Sequence, residues 1–178
     1  EPFSTLAEVC PGLADRVVVV NGVSKAYAMT GWRIGYAAGD PELIKQMRKV
    51  QGQSTSNPCS ISQAAAEIAL SDSQFCVTEM CKAFHKRHDW LIPALNELPG
   101  VKCSPGEGAF YVFADCSGAI ESLGLDDDHA FCEHLLEHAG VELVPGSAFG
   151  TPGHARFSFA CGIETLKQAV QRIDDALK

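Results

Sequence analysis

The sequence predicts a protein of the α/β or α+β class, because segments with strand character alternate with segments of helical periodicity along its length. Short apolar runs bounded by glycine or turn residues predict the strands. Between them, apolar residues recur every three or four positions behind helix-start signals. The chain has 178 residues, of which 46% are hydrophobic and 20% charged, enough for one large or two small globular domains.

Two apolar segments near the beginning of the chain predict strands. The run "RVVVVNG" (residues 16–22) shows no polar alternation, which is typical of a strand buried on both faces in a parallel sheet. The segment "GWRIGYAAG" (residues 31–39) is the second candidate. Between them lies a stretch of mostly small residues that contains one lysine and one arginine.

Helix-start signals follow the second strand. Asp40 can cap a helix and Pro41 suits the first helical position. Further along, Ser60 and Gln63 have the spacing of a capping box, which predicts the start of another helix. Both helices are expected to belong to the same domain as the two strands.

A long amphipathic helix is predicted to begin at Phe75. The apolar stripe that indicates it comprises Val77, Met80, Cys81, Phe84, His88, Leu91, Leu95 and Leu98. Pro93 interrupts the stripe and should kink or restart the helix within about one turn. A kinked helix can connect two domains, so the sequence predicts a first domain over residues 1–75 and a second over residues 76–178.

The remainder of the chain again alternates strands and helices. Strands are predicted in "GAFYVFADC" (108–116) and "ARFSFA" (155–160), a short strand and a turn in "VELVPGSAFG" (141–150), and helices in "DDDHAFCEHLLEHAG" (126–140) and "IETLKQAVQRIDDALK" (163–178). The first of these helices should end at Gly140, and the acidic run at its start is predicted to be solvated. No internal repeat or low-complexity segment interrupts this order.

Composition excludes several classes of function. The net charge of −8 argues against nucleic acid or an anionic membrane as the main partner. No run approaches the roughly 18 apolar residues of a membrane span, and "EPFSTLAEV" does not have the pattern of a signal peptide. The 8 cysteines are scattered without a C-x-x-C pair, which favours reduced thiols in a cytoplasmic protein. Because the chain lacks an initiator Met, we expect a fragment of a longer protein.

The stretch "NGVSKAYAMTGWRIGY" (residues 21–36) combines Lys25 and Arg33 with three glycines. A lysine enclosed near another cation can act as a free amine and form a Schiff base with an aldehyde. Pyridoxal 5′-phosphate is a biological aldehyde that also carries a phosphate, for which arginine is the bidentate partner. Glycines let the backbone approach phosphate oxygens. Lys25 and Arg33 could therefore hold the two ends of one cofactor.

The segment "GVSKAYAMTGWRIG" (residues 22–35) resembles the pyridoxal-phosphate attachment motif of the class I aminotransferases, particularly the bacterial-type aspartate aminotransferase subgroup. "GEGAFYVF" (106–113), "VPGSAFG" (144–150) and "ARFSFA" follow in that family's order. The resemblance covers nearly the whole chain but only the C-terminal part of the family's length. It implies the fold-type I architecture, with residues 1–75 completing the large cofactor domain and residues 76–178 forming the small α/β domain.

The resemblance also implies roles for four residues. Lys25 is similar to the Schiff-base lysine and Arg33 to the phosphate-binding arginine, while Ser24 is a candidate cofactor contact. Arg156 resembles the arginine that binds the substrate's α-carboxylate. Strand alternation predicts that Arg156 lies on the face opposite Phe157 and Phe159, where it would be partly desolvated and need an anionic partner. Many relatives have serine where this chain has Gly22, so one hydroxyl contact to the phosphate is absent.

The mechanism that the resemblance implies is ping-pong transamination between an amino acid, aspartate in this subgroup, and 2-oxoglutarate. Lys25, once displaced by the substrate amine, would move the α-proton as general base and acid. The family's phosphate loop, ring-stacking aromatic residue and pyridine-binding Asp should lie upstream of residue 1. We therefore expect the isolated chain to have little or no activity. Family members are homodimers, which implies the same here.

Simpler interpretations remain for each site residue. Lys25 can be a solvated loop lysine, Arg33 a member of a structural ion pair, Ser24 a turn hydroxyl, and Arg156 part of an interdomain salt bridge. Two histidine groups have helical spacing that a metal site could use: Cys81, His85 and His88, and His134 with His138. His88 falls in the apolar stripe and no third ligand is evident near His134, so core or surface histidines are favoured and no metal is predicted.

Three other functions share the resemblance. Close rivals are an aromatic or kynurenine aminotransferase and a lyase similar to aminocyclopropane-carboxylate synthase. A rival of another class is the aminotransferase-like sensor domain of a transcription regulator, which would require a DNA-binding segment upstream. A scaffold without chemistry is disfavoured because Lys25, Arg33 and Arg156 are all present.

Overall fold

The computed structural model describes residues 4–178, which fall into two compact units, Glu1–Glu79 (unit 1) and Met80–Lys178 (unit 2). Residues 1–3, where the predicted first domain and the "EPFSTLAEV" segment begin, lie outside the described residues. The assignment of residues 1–75 to a cofactor domain and of residues 76–178 to a small domain stays a prediction. No helix in the described part of the chain is long and apolar enough to cross a membrane.

Unit 1 combines a two-stranded ribbon with helices. In chain order its elements are helix α1 (Leu6–Val9), a 3-10 helix (Pro11–Arg16), strand β1 (Val19–Gly22), a 3-10 helix (Thr30–Trp32), strand β2 (Gly35–Ala38), helix α2 (Pro41–Ser54) and helix α3 (Ser60–Ser71). Helix α4 (Phe75–Asn96) follows, and the boundary between the units falls within it. The buried side chains of Val23, Ile34 and Ala66 form the small apolar cluster of this unit.

Strand β1 forms where the sequence predicts it, but the prediction of a parallel, fully buried strand is wrong for the described residues. β1 pairs with β2 in antiparallel register, from Val19 opposite Ala38 to Gly22 opposite Gly35. Val20 is 76% exposed, so the apolar run is not covered on both faces. The two strands follow one another along the chain with no α-helix between them, so they lack the usual crossover of a parallel pair and form an antiparallel ribbon.

Helix α2 begins as predicted, whereas helix α3 is capped differently. The Asp40 carboxylate accepts hydrogen bonds from the backbone N–H groups of Glu42 and Leu43 at 3.0 Å each. In α3, however, Cys59 occupies the cap position, so Ser60 is the first helical residue. The predicted capping box of Ser60 and Gln63 is therefore wrong by one position, and the side-chain amide of Gln63 instead donates to the carbonyl of Pro58 at 2.9 Å.

Helix α4 runs without interruption through Pro93 and ends at Asn96. The predicted restart of the helix at Pro93 does not occur, although the helix ends within one turn of it. Leu91 and Leu95 of the predicted stripe are buried, and Phe84 packs against the same cluster. The Asn96 side chain accepts from the N–H of Cys103 at 2.9 Å and donates to its carbonyl at 2.8 Å, which fixes the chain beyond the helix.

Unit 2 is a four-stranded antiparallel sheet covered by helices. Its further elements are strand β3 (Lys102–Cys103), strand β4 (Tyr111–Asp115), helix α5 (Ser117–Leu123), helix α6 (Asp128–Ala139), strand β5 (Val144–Pro145), a 3-10 helix (Gly146–Phe149), strand β6 (His154–Ser158) and helix α7 (Ile163–Ala176). The strand order is β3-β4-β6-β5. The strands and long helices predicted here are confirmed, including the end of α6 at Gly140 in the left-handed conformation, whereas the sequence pattern does not identify α5.

The core of unit 2 lies between one face of this sheet and its helices. Val112 and Ala114 of β4 and Ala155 and Phe157 of β6 are buried, while the alternate residues of both strands are more exposed. Phe131 on α6 and Ile173 on α7 pack in the same cluster. The mixed helix and sheet content confirms the α/β fold class.

The prediction that the acidic run 126–128 is wholly solvated is wrong for Asp128. Asp127 caps helix α6 by accepting from the N–H of Ala130 at 2.8 Å, as an exposed acidic residue is expected to do. Asp128 is only 1% exposed, because its carboxylate accepts a hydrogen bond from the N–H of Ser147 at 2.6 Å. The bond partner lies in a distant part of the chain, so the local acidic pattern could not reveal it.

Candidate functional site

The connection between β1 and β2, the Val23–Ile34 loop, carries three of the four predicted site residues. Gly22 and Gly35 face each other at its neck, where a Cβ on Gly22 would lie 3.1 Å from the carbonyl oxygen of Ile34. Glycine is therefore required for the two strand ends to approach this closely. The first and last residues of the loop, Val23 and Ile34, are buried at 0% and 8% exposure and attach it to the body of unit 1.

Ser24 and Lys25 lie in a turn at the start of this loop. The N–H of Met29 donates to the Ser24 carbonyl at 3.1 Å, and that of Ala28 donates to the Lys25 carbonyl at 3.2 Å, so the backbone around the lysine is held from within the loop. The Lys25 side chain is exposed, and Ser24 is half-buried. Within residues 4–178 the Ser24 hydroxyl makes no hydrogen bond, which leaves it available to a ligand.

Arg33 lies at the other end of the loop in a left-handed backbone conformation, with φ of 54°. Such a conformation is unfavourable by roughly 1–2 kcal/mol for a residue other than glycine. Its Nη1 donates to the carbonyl of Thr30 at 2.9 Å, which closes the 3-10 turn before it. No carboxylate in the described part of the chain pairs with Arg33, so the structural ion pair considered as the simpler interpretation is not observed there.

Gly31, beside Arg33 in the same loop, has no steric reason to be glycine. A Cβ at this position would meet no heavy atom within 4 Å. Its φ is also not in the left-handed region that favours glycine. The space around Gly31 is therefore open, in contrast to the close approach of the backbone at Gly22 and Gly35.

Arg156 lies in unit 2, on the exposed face of the sheet. Alternation along β6 places its side chain opposite the buried Ala155 and Phe157, as predicted. Its guanidinium carbon is 4.2 Å from the centre of the Tyr111 ring and 5.0 Å from that of Phe149. Cation–π contacts of this kind hold a guanidinium while leaving its N–H groups directed away from the rings.

The expected anionic partner of Arg156 is not supplied by the described residues. Within residues 4–178 its side chain makes neither a hydrogen bond nor an ion pair. A half-buried guanidinium held by two aromatic rings has the charge and the planar geometry that suit a carboxylate. The sequence pattern does not identify Tyr111 and Phe149, although both lie within segments of the family resemblance.

The predicted site residues thus divide between the two units. Ser24, Lys25 and Arg33 lie on the Val23–Ile34 loop of unit 1, and Arg156 lies on the sheet of unit 2. The loop offers an amine, a hydroxyl and a guanidinium, which are the groups that an aldehyde and a phosphate bind. Arg156 offers one permanently charged, planar group suited to a carboxylate.

The two histidine groups have protein partners in unit 2. The N–H of Gly106 donates to Nε2 of His88 at 3.2 Å, and a ring nitrogen of His134 bonds the carbonyl of Ala176 at 3.0 Å. His138 bonds the carbonyl of His134 at 2.9 Å. Among the described residues, no group of three or more His, Cys, Asp or Glu side chains is arranged to hold a metal ion.

The pKa values of the cysteine thiols also differ with their surroundings. All eight cysteines lie within residues 4–178 and are free. Burial raises the pKa of Cys116 to about 12 and that of Cys132 to about 11. The backbone N–H groups of Ser62 and Ile61, at the start of α3, instead lower the pKa of the exposed Cys59.

Comparison with known proteins places these features in a family. The family model "Aminotransferase class I and II" matches residues 2–173. An aspartate/prephenate aminotransferase of Nitrosomonas europaea is 49% identical over 98% of this chain and 46% of its own length. An aspartate/prephenate aminotransferase of Cereibacter sphaeroides is 52% identical over 96% of this chain and 44% of its own length.

Solved structures of aminotransferases also resemble this chain. The aspartate aminotransferase from Rhizobium meliloti superposes with a TM-score of 0.88 at 47% identity, covering 98% of this chain and 45% of that one. An aromatic aminotransferase from Pyrococcus horikoshii superposes with a TM-score of 0.83 at 38% identity, covering 93% of this chain and 44% of that one. The chain therefore spans less than half the length of the relatives that it matches.

Proposed function

Because the chain belongs to the aminotransferase class I and II family, we propose that the protein containing it transfers an amino group between aspartate and 2-oxoglutarate with the help of pyridoxal 5′-phosphate. The observation that carries this proposal is the Val23–Ile34 loop, on which Lys25, Ser24 and Arg33 lie together. Aspartate is favoured because it appears in the names of the relatives at 49% and 52% identity.

The residues of the loop fit the cofactor. Pyridoxal phosphate supplies an aldehyde that amines attack and a ring that withdraws electrons. Lys25 offers the amine that would hold the aldehyde, and Arg33 would hold the phosphate, since only its bond to Thr30 occupies the guanidinium within residues 4–178. The unpartnered hydroxyl of Ser24 and the open space at Gly31 support the same assignment.

The chain's own residues would then perform two tasks in the reaction. Nζ of Lys25 removes the proton from the substrate's α-carbon and later returns a proton, as general base and acid. Arg156 binds the α-carboxylate of the amino acid, and afterwards that of the oxo acid, so that the Cα–H bond has one orientation. Because the first product must leave this carboxylate site before the second substrate can bind there, ping-pong kinetics are expected.

The amino acceptor has a second candidate. The two relatives with the names quoted above are named for prephenate as well as aspartate. Prephenate is an oxo acid with a second carboxylate, so it can use the same arginine through the carboxylate next to its oxo group. Aromatic or kynurenine substrates and a lyase activity remain the alternatives, and comparing products formed from aspartate with each oxo acid separates them.

The assembly and context of the protein are also proposed. We expect a homodimer in the cytoplasm, in keeping with the free thiols of the chain. The isolated chain of 178 residues is expected to have little or no activity, since the relatives are more than twice as long. Turnover of aspartate by the isolated chain at ordinary enzymatic rates would contradict this.

The decisive experiment replaces Lys25 in the full-length protein. Lys25→Ala should lose the visible absorbance of the bound cofactor and reduce activity by about a thousandfold or more. Borohydride reduction of the unaltered protein followed by peptide mass spectrometry should find the cofactor attached to Lys25. Lys45→Ala is the matched control, because Lys45 is an exposed lysine paired only with Glu42 at 3.2 Å. Cofactor fixed to another lysine would refute the proposal.

A further inference from the structure

Asp128 is a buried carboxylate whose partner lies next to the candidate carboxylate site. It is 1% exposed, and its Oδ2 accepts a hydrogen bond from the N–H of Ser147 at 2.6 Å. Burial opposes its ionisation most strongly, but the hydrogen bonds from Ser147 and from its own backbone N–H, together with the nearby His129, outweigh burial, so the pKa of Asp128 lies below its ordinary value. A buried, ionised side chain that holds one backbone N–H fixes the position of the segment to which that N–H belongs.

The segment that Asp128 holds is the Gly146–Phe149 turn. Its other side is fixed by close packing, since a Cβ on Gly146 would lie 2.7 Å from the Cβ of His154 and would also overlap the carbonyl of Thr151. The N–H of Thr151 donates to the Gly146 carbonyl at 3.0 Å and closes the turn. The turn is thus held between Asp128 on α6 and His154 on β6.

Phe149, at the end of this turn, depends on it for its position. The ring is 50% exposed, so packing alone does not determine where it lies. Its ring centre is nevertheless 5.0 Å from the Arg156 guanidinium carbon and 6.0 Å from the centre of the Phe113 ring, which it meets edge to face. The Tyr111 ring, by contrast, reaches Arg156 from the regular strand β4.

We propose that Asp128 is a positioning residue for carboxylate binding: by holding the Gly146–Phe149 turn, it keeps the Phe149 ring against Arg156. The guanidinium then stands between two aromatic rings and is presented to a substrate carboxylate in one orientation. Without the hydrogen bond from Ser147 the turn moves, and the guanidinium loses its contact with the Phe149 ring. Binding of the carboxylate is then weaker, because the guanidinium must be ordered when the ligand binds. This inference rests on the proposed role of Arg156.

The test measures binding of maleate, a dicarboxylate without an amino group, to the cofactor-loaded full-length protein by calorimetry. Asp128→Ala should weaken maleate binding by about tenfold and raise KM for aspartate by a similar factor, with kcat little changed. Asp128→Asn should recover most of the affinity, because the amide oxygen still accepts from Ser147. The matched control is Asp126→Asn, which removes the same charge from an exposed residue of the same acidic run.

Phe149→Ala provides the second arm, which does not depend on the folding of the Asp128 variants. It should weaken maleate binding by a similar factor, and the double variant Asp128→Ala/Phe149→Ala should be no weaker than either single variant. Unchanged maleate affinity in Asp128→Ala or Phe149→Ala would overturn the inference, as would additive losses in the double variant. Arg156→Lys distinguishes the two possible failures when the Asp128 and Phe149 variants bind maleate normally. If Arg156→Lys also binds maleate normally, the proposed role of Arg156 is wrong. If Arg156→Lys binds maleate weakly, only the role of Asp128 is wrong.

Discussion

The two units of the chain fix their candidate site residues by different means. In unit 2, Arg156 stands on a sheet whose opposite face is buried in an extensive core. In unit 1, the buried apolar cluster consists of Val23, Ile34 and Ala66, and large side chains such as Val20 and Ile61 are 76% and 71% exposed. An extensive core therefore holds the candidate carboxylate site, whereas the candidate cofactor site lies on a loop held by its internal backbone hydrogen bonds and by the buried side chains of Val23 and Ile34 at its ends.

This difference has a physical consequence for how each site responds to change. The Val23–Ile34 loop should be sensitive to substitutions that change its backbone at a few positions. These are Gly22 and Gly35, where the strands approach closely, and Arg33, whose backbone is in the left-handed conformation. A site on a packed sheet is sensitive to the volume of core residues on the opposite face. The two units should therefore differ strongly in how well their buried side chains are protected from solvent. They should differ little in the stability that is lost when a helix cap is removed.

The largest expected contrast is in thiol reactivity. At pH 8, iodoacetamide should modify Cys59 of unit 1 more than about a thousandfold faster than Cys116 of unit 2, because only the thiolate reacts. The pKa of Cys116 is raised to about 12, whereas that of Cys59 is lowered by N–H groups of Ser62 and Ile61. As pH rises, the Cys59 rate should level off at a lower pH than that of a free cysteine. Peptide mass spectrometry with time measures both rates.

Unfolding provides the control for this comparison. In guanidinium chloride both cysteines lose their surroundings, and their rates should become equal within a few-fold. Equal rates in the native chain would instead mean that the core around Cys116 opens readily, and the contrast between the units would be lost.

A smaller contrast is expected from truncating leucines. Leu135 of α6 is 0% exposed, so Leu135→Ala should reduce the free energy of unfolding by about 3 kcal/mol. Leu136 is the matched control, because it is adjacent, lies on the same helix and is 52% exposed. Leu136→Ala should therefore reduce the free energy of unfolding by less than about 0.5 kcal/mol. Urea denaturation followed by circular dichroism measures both.

Truncating a described leucine of unit 1 should not cause a loss as large as that of Leu135→Ala. The described leucines of this unit are Leu6, Leu13, Leu43 and Leu70, and each of them is exposed. A loss of about 3 kcal/mol from Leu43→Ala would show that unit 1 contains a larger core than the described structure indicates.

Local signals in the sequence were sufficient for much of this fold. Asp40 and Pro41 begin helix α2, and Gly140 ends α6, because capping depends on residues within one turn. Strand alternation also placed Arg156 correctly on the face opposite Phe157. The roles of Lys25, Arg33, Ser24 and Arg156 remain predictions, since what the structure describes is their position.

Features that depend on distant partners could not be predicted. The antiparallel pairing and exposure of β1 depend on which strand lies beside it. The burial of Asp128 depends on Ser147, and the aromatic contacts of Arg156 depend on the register between β4 and β6 and on the turn that carries Phe149. Cross-strand register and turn position are properties of the folded chain rather than of a local window of sequence.

The smallest expected effects come from the helix caps, which test whether the units unfold separately. Asp40 caps α2 of unit 1 and Asp127 caps α6 of unit 2, and replacing either by Ala should reduce stability by about 1 kcal/mol. The two tryptophans, Trp32 and Trp90, lie one in each unit, so single-tryptophan variants report on the units in turn. Because the two buried clusters share no residue, Asp40→Ala should shift only the Trp32 transition and Asp127→Ala only the Trp90 transition. Equal shifts of both transitions in both variants would mean that the chain unfolds as one cooperative body, and the two units could then not be compared as separate folding units.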